Sequence, residues 1–161
     1  MRTEPDVLAE LDDLDRRILD QLQSDAALTN QELAQRVHAS PPTCLRRVRR
    51  LTEMGVIEKQ VAILNAAKLG SALTALIEIT LDVQAAERLD EFEARMQAEP
   101  AILQCYRVSP GPDFLLVAQV RDMPAYHALV HRAFTAQANV RNVRTFFSVH
   151  RAKFETRIRI D

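Results

Sequence analysis

Tryptophan is absent from the 161-residue sequence, which contains only three glycines. Glycine-rich phosphate loops need several closely spaced glycines, so nucleotide-binding motifs of that kind are nearly excluded. The two cysteines, Cys44 and Cys105, are far apart and form no Cys-x-x-Cys pair, which argues against a zinc site. We expect both to be free thiols in a reducing cytoplasm.

Net charge and long apolar runs are also lacking. The formal net charge is -1 at pH 7, and no apolar run approaches the roughly 20 residues of a membrane-spanning helix. The acidic N-terminus has no apolar segment typical of a secretion signal. These features predict a cytoplasmic globular protein without a membrane partner.

Positive charge is nevertheless concentrated in one segment. Residues 36–50 contain five arginines and no acid, whereas residues 4–25 are rich in Asp and Glu. Four of those arginines fall within five positions, which makes a self-repelling helix unless an anion relieves it. The distribution of charge matters more than its total for nucleic-acid binding.

Two helices are predicted before this basic segment. Residues 12–24 carry apolar side chains at helical spacing, with Asp12 as a candidate N-cap. Thr29 and Glu32 form a capping-box pattern at the start of a short second helix.

A third helix is predicted from Ser40, because a serine cap followed by proline is a start signal. Gly55 is expected to end it. The side chains expected on its buried side are Leu45, Val48 and Leu51. After it, residues 56–64 are β-prone and predict a wing strand, and residues 65–72 predict a linker with a helical turn stopped by Gly70.

Two short helices joined by a turn, the second with a basic outer side, describe a helix-turn-helix. Thr43, Arg46 and Arg47 are candidates for contacts with base edges in the major groove. Phosphate contacts are expected farther along the helix and at the end of the preceding one. Helical spacing puts six of the DNA-binding candidates on the solvent side of the third helix: Pro42, Thr43, Arg46, Arg47, Arg49 and Arg50. The other two candidates are Arg36, at the end of the second helix, and Ser40, at the start of the third. The alternative for this basic surface is a solvated face or a site for an acidic partner.

The remaining sequence alternates between strand and helix patterns. The expected order is a strand at 74–81, a helix at 85–98, strands at 102–108 and 114–121, a helix from Pro124, and a strand at 142–153. This is a ferredoxin-like βαββαβ arrangement. The fold class is therefore α+β, with a winged helix-turn-helix at 1–64, the linker at 65–72 and a ferredoxin-like dimerisation domain at 73–161.

Several runs resemble the leucine-responsive/asparagine-regulator (Lrp/AsnC, feast/famine) family. The most specific is Ser-Pro-Pro-Thr-Cys-Leu-Arg-Arg-Val-Arg-Arg-Leu at 40–51, and the runs at 11–19, 55–57 and 64–70 are similar to the family as well. The wing departs from it, since Lys59-Gln60 stands where the family often has Gly-Tyr.

The resemblance implies a regulator that binds double-stranded DNA and a small effector such as an amino acid. It implies homodimers formed by stacked sheets, consistent with an apolar sheet face that needs covering, and higher even-numbered states such as octamers. It places the effector near the turn at 108–114, where Pro110 stands at the family's glycine position. The effector candidates are Ser109, Pro110, Gly111, Asp113, Met123, Thr145, Phe146 and Phe147.

Other interpretations stay open. One alternative is that Asp113 caps its turn and the phenylalanines belong to the core, since Pro110 and Pro112 lack the N–H donors that bind an anion. Another is an effector-independent DNA-organising protein, whose C-terminal domain only assembles. We expect no enzyme activity, because no nucleophile–base set is visible, and no cofactor. His127 and His131 are four residues apart, but no further ligand completes a metal site.

Overall fold

The structure, a computed structural model, describes residues 11–70, 73–136 and 139–160. The first ten residues of the expected DNA-binding domain and residues 71–72 of the expected linker lie outside the described residues. The chain divides into two compact units. One contains the described residues up to Ile63 and from Lys153 onward, and the other runs from Leu64 to Ala152.

Side-chain caps start the three helices of the first unit. These helices are α1 (Asp13–Ser24), α2 (Asn30–Arg36) and α3 (Pro41–Glu53). Asp12, Thr29 and Ser40 each accept a hydrogen bond from the backbone N–H three residues on. Such caps satisfy N–H groups that have no partner within the helix. The predicted helix starts are confirmed.

The turns around α3 also follow the prediction. His38, between α2 and α3, has a φ of 55°. Gly55 has a φ of 73°, and the N–H of Val56 beyond it donates to the carbonyl of Leu51. A residue with positive φ just after a helix allows the chain to turn back onto the last carbonyls, which suits glycine.

The predicted rotational phase of α3 is wrong by one position. Leu45, expected on the buried side, is 50% exposed, and Cys44 is fully buried in its place. Leu51 is buried and Val48 packs against the same core, as predicted. Both the 44, 48, 51 and the 45, 48, 51 sets fit helical spacing, so spacing alone did not separate them.

No strand forms over residues 56–64, which is a correction to the predicted wing strand. Val61, Ile63 and Leu64 are exposed there. A strand needs a hydrogen-bonded neighbour, and β-prone side chains alone do not supply one. The helical turn expected in the linker is present as a 3-10 helix, Ala66–Leu69, capped by Gly70 with a φ of 78°.

The second unit is a four-stranded antiparallel sheet with two helices. Its elements are β1 (Leu73–Leu81), α4 (Ala86–Ala98), β2 (Ile102–Arg107), β3 (Phe114–Val120), α5 (Met123–Val130) and β4 (Val140–Phe147). A π-helical turn, His131–Thr135, continues α5. The strand order is β2-β3-β1-β4. This is the predicted ferredoxin-like arrangement, and β3 is central as its apolar sequence indicates.

One face of this sheet forms the core. The inward residues of β1 are Ala75, Ile77, Ile79 and Leu81, the set that strand alternation predicts. They pack with Phe92 and Met96 of α4 and with the continuous α5 and π-helical segment, which buries Leu129 and Phe134. Phe92 and Phe114 stack with ring centroids 4.6 Å apart.

The C-terminal end differs from the prediction. The last strand was expected to reach residue 153 but ends at Phe147, and residues 148–160 have no regular secondary structure. The segment from Lys153, expected in the C-terminal domain, instead belongs to the first unit. There Ile160 packs on the helical core, Gln23 makes two hydrogen bonds with the backbone of Ile158, and Arg157 pairs with Asp20.

Candidate DNA-binding helix and effector turn

The outer side of α3 carries exposed basic side chains. Pro42, Arg46 and Arg49 fall on one line along the helix, opposite the side that packs on the core through Cys44, Val48 and Leu51. Within the described residues, Arg46 and Arg49 make no hydrogen bond or ion pair. Their guanidinium groups are therefore available to an external anion.

Arg47 and Arg50 bond to the start of α1, and only Arg50, with 40% of its side chain exposed, keeps much of the expected solvent exposure. The Arg47 side chain is 24% exposed, and its Nη1 lies 2.7 Å from Asp12 Oδ2 and 3.2 Å from Asp15 Oδ2. Arg50 Nη2 lies 2.6 Å from Asp15 Oδ2. The acids that relieve the self-repulsion of α3 thus come from the start of α1, which sequence proximity did not reveal.

The carboxylate of Asp12 has several partners. Its pKa is lowered first by the hydrogen bond from the backbone N–H of Asp15, and then by the hydrogen bond and charge of Arg47. The same carboxylate therefore caps α1 and contacts α3.

Two further polar groups hold the ends of the helix-turn-helix. Ser40 Oγ accepts from the N–H of Thr43 at 3.4 Å and donates to Thr43 Oγ1 at 2.8 Å. Asn30 Nδ2, at the start of α2, donates to the carbonyl of Pro41 at 2.8 Å. Arg36 is the last residue of α2 and is exposed. The sequence analysis missed Asp15 and Asn30, which act through contacts with α3.

Burial raises the pKa of the Cys44 thiol. A thiol held in its protonated form is a poor nucleophile and a poor metal ligand. Cys44 therefore packs α3 against its neighbours.

Asp113 is used by the fold itself. Its Oδ2 accepts from the N–H of Leu81 at 2.7 Å, and its own N–H donates to the carbonyl of Ile79 at 2.8 Å. Its carbonyl accepts from the N–H of Val108, which closes the turn between β2 and β3. In the same turn Gly111 has a φ of 127°, a conformation that favours glycine.

The three effector candidates on β4 lie on different faces. Thr145 Oγ1 accepts from the Tyr126 hydroxyl at 2.6 Å, and the Phe147 ring contacts Tyr126 edge to face at 4.9 Å between centroids. Phe146 lies on the opposite, open face, with the Arg144 guanidinium 4.7 Å from its ring centroid.

The eight effector candidates do not converge within one chain. The turn at 109–113 lies at the Ile79 end of β1, because Phe114 pairs with Ile79. Met123 follows Val120, which pairs with Leu73 at the other end of that strand. The β4 candidates lie between these ends, opposite Ala75 to Ile77.

The open face of the sheet is apolar at its centre. Leu76 is 46% exposed and is flanked by Val117 on β3 and by Phe146 on β4. Leu115 and Tyr106 extend this surface toward β2 and are also exposed. These exposed apolar side chains are neighbours and form one continuous patch, unlike apolar residues scattered singly over a surface. The patch is therefore a candidate for contact with another copy of the chain.

A groove of about 400 Å³ lies between α4 and β2 and contains none of the effector candidates. Burial raises the pKa of Cys105 in its wall, and Glu93 adds to that shift. Among the described residues, no helix has the length and apolar character needed to cross a membrane.

Comparisons with known proteins agree with both units. A model of winged helix-turn-helix DNA-binding domains matches residues 11–58, and a model of the Lrp/AsnC ligand-binding domain matches residues 74–158. The leucine-responsive regulatory protein of Rhizobium meliloti is 40% identical over 96% of this chain and 99% of its own length.

Two solved structures share this architecture. A transcriptional regulator from Neisseria meningitidis in complex with L-Met has a TM-score of 0.87 at 30% identity, covering 94% of this chain and 97% of that one. An AsnC family regulator from Agrobacterium tumefaciens has a TM-score of 0.86 at 33% identity, covering 93% and 97%. The resemblance and fold class expected from the sequence are confirmed. The chain belongs to the Lrp/AsnC family of transcriptional regulators, with a winged helix-turn-helix DNA-binding domain and a ligand-binding domain.

Proposed function

We propose that this regulator reads double-stranded DNA with the outer side of α3. Thr43 and Arg46 lie in its first half, where a recognition helix meets base edges, and arginine pairs bidentately with guanine. Arg49 lies one turn later and contacts phosphate. The supporting observation is that Arg46 and Arg49 are exposed and have no partner among the described residues, while the other side of α3 is packed.

The remaining candidates have narrower roles in this proposal. Pro42 lies beside Arg46 on the outer line, and the exposed Arg36 can contact phosphate. Ser40 caps α3 and orients Thr43. The expected DNA contacts of Arg47 and Arg50 are not part of this proposal, because each guanidinium is already bonded to Asp15.

We also propose a homodimer formed by the open face of the sheet, with higher even-numbered assembly such as an octamer. Exposed Leu76, Leu115 and Phe146 would be covered when two sheets stack. A dimer presents two α3 helices to a two-fold related DNA site. Replacing Leu76 with Glu should shift sedimentation toward the monomer, and a dimer unaffected by this change would contradict the proposal.

The effector is proposed to be an amino acid bound between copies. The eight effector candidates lie at separate places in one chain, so a site containing them needs groups from a second copy. The L-Met bound by the Neisseria meningitidis regulator supports this ligand class. The activity proposed is regulation rather than catalysis, in the cytoplasm where the DNA is accessible.

DNA selection from a random pool tests the first proposal. The wild type should enrich a two-fold related sequence, and its affinity should fall steeply with salt because phosphate contacts release counterions. An Arg46→Ala variant should lose this enrichment. An unenriched pool for the wild type, at low salt and with the protein folded, would contradict sequence-specific binding.

Calorimetry with a panel of amino acids tests the second proposal. Methionine and other apolar amino acids should give saturable heats and alter the DNA affinity or the oligomeric state. The absence of heat and of any thermal shift across the panel would favour the DNA-organising alternative, in which the C-terminal domain only assembles.

A further inference from the structure

Asp15, in the first turn of α1, is the one charged side chain that is fully buried among the described residues. Its carboxylate accepts hydrogen bonds from two arginines of α3. Arg50 Nη2 lies 2.6 Å from Oδ2, and Arg47 Nη1 lies 3.3 and 3.2 Å from the two oxygens. The backbone N–H of Asp12 also donates to Oδ2 at 3.2 Å.

Among the described residues, this cluster pairs two carboxylates with two guanidinium groups. Asp12 and Asp15 contribute the carboxylates, and Arg47 and Arg50 contribute the guanidinium groups. A carboxylate remains charged in a buried position when opposite charges and hydrogen bonds compensate its lost hydration. The cluster therefore bonds two of the four clustered arginines of α3 to the start of α1.

The two arginines reach Asp15 from different directions. Successive residues of an α-helix project about 100° apart, so Arg47 projects about 100° from Arg46, whereas Arg50 projects only about 40° from it. The contact with Asp15 turns the Arg50 guanidinium from the edge of the outer side toward α1. Together with the packed side of α3, these contacts help to fix the rotation of the helix about its axis, and that rotation determines which side chains face a groove.

We propose that Asp15 is a positioning residue for DNA recognition. It holds Arg47 and Arg50 against α1, and so leaves sequence discrimination to Thr43 and Arg46. This inference rests on the proposed DNA-binding role of α3, and it assigns Arg47 and Arg50 a role within the protein instead of on the duplex.

Asp15→Asn gives a result that a merely structural role would not. Releasing two guanidinium groups should strengthen binding to a scrambled duplex and steepen the log–log salt slope by up to about 1.8, or about 0.9 per phosphate contact. The preference for the selected duplex over the scrambled one should fall at least about tenfold, because α3 loses its fixed rotation. A single mismatched base pair in a binding site lowers affinity by a similar factor. An unchanged preference, or a loss of binding to both duplexes by a folded variant, would overturn the proposal.

A second variant without these charges tests the proposal even if the Asp15→Asn protein does not fold. The triple substitution Asp15→Leu, Arg47→Met and Arg50→Met replaces the cluster with apolar groups, an exchange that buried ion pairs often tolerate. It should keep the wild-type salt slope and most of the preference. A fall in slope of about 1.8 in the folded triple variant would show that both arginines contact phosphate.

Arginine modification of the wild type needs no variant. With phenylglyoxal, DNA should protect Arg46 and Arg49, while Arg47 should react poorly with or without DNA. A reactive Arg47 that DNA protects would overturn the proposal. Failure of the proposed function is distinct, because then the wild type itself would show no preference between duplexes and no protection.

Discussion

The recognition helix and the β2–β3 turn use their polar groups differently. On α3, Arg46 and Arg49 make no hydrogen bond or ion pair with the described residues, so their guanidinium groups are available to a partner. In the turn, the carboxylate, N–H and carbonyl of Asp113 are all bonded to neighbouring backbone. A functional group inferred from sequence is therefore informative only once its role in the fold is known.

The largest expected effect comes from Asp113→Ala. The buried N–H of Leu81 would lose its acceptor, which costs about 1–3 kcal/mol of unfolding free energy. Thermal and urea unfolding of the effector-free protein should show the loss. Asp113→Asn, which keeps a side-chain oxygen, is the matched control and should be milder. Unchanged stability in the alanine variant would mean that the Asp113 carboxylate is not needed by the fold and is, like Arg46 and Arg49, available to a partner.

Arg46→Ala should show the reverse pattern. We expect DNA binding to weaken by about 1–3 kcal/mol with relaxed specificity, because a base contact is lost. Unfolding should be unchanged, because Arg46 is exposed. Arg141→Ala, at an exposed position on β4, is the control for simple loss of charge, and equal losses from both substitutions would contradict a specific role.

Tyr126→Phe and Tyr106→Phe compare the core side of the sheet with its open side. Tyr126→Phe removes the 2.6 Å hydrogen bond to Thr145 and should cost about 0.5–1.5 kcal/mol of stability. Tyr106→Phe, whose exposed hydroxyl contacts Gln104 at 3.2 Å, should cost less. Differential scanning calorimetry compares the two. The opposite order would mean that the Thr145 contact contributes little to the fold.

The smallest expected effect is on the stability of the protein at acidic pH. Arg132 donates two hydrogen bonds to Glu99, and these lower the pKa of that carboxyl below 4.5. A lowered pKa in the folded state stabilises the protein above the unfolded value, and this contribution is lost as pH falls below about 4.5 and through the folded value. Glu99→Gln should therefore flatten the acid limb of stability measured by urea unfolding between pH 3 and 6, and Arg132→Met should do the same. If the acid limb is unaltered in both variants, the Glu99–Arg132 pair does not contribute to the pH dependence of stability.

Local signals made much of this fold predictable. The caps at Asp12, Thr29 and Ser40 and the alternation in β1 each depend on residues within a few positions of one another, and the structure places those elements where the sequence does. The order of strands and helices in the C-terminal unit was predictable because apolar residues repeat every two positions in a strand and about every 3.6 positions in a helix.

Long-range partners were not predictable. Asp15 and Arg47 are 32 positions apart, and no local pattern shows that one neutralises the other. The segment at 56–64 has strand-forming side chains but no neighbouring strand, and the tail from Lys153 folds onto the helical unit. In each case the outcome depends on which segments meet in space.

The most direct test compares the wild type with an Arg46→Ala/Arg49→Ala variant on the selected and a scrambled duplex over a range of salt concentrations. Fluorescence anisotropy should show that the variant loses the preference and that its log–log salt slope is shallower by about 0.9, for the phosphate contact of Arg49. If the folded variant keeps both the wild-type preference and the wild-type slope, the outer side of α3 is not the DNA-binding surface.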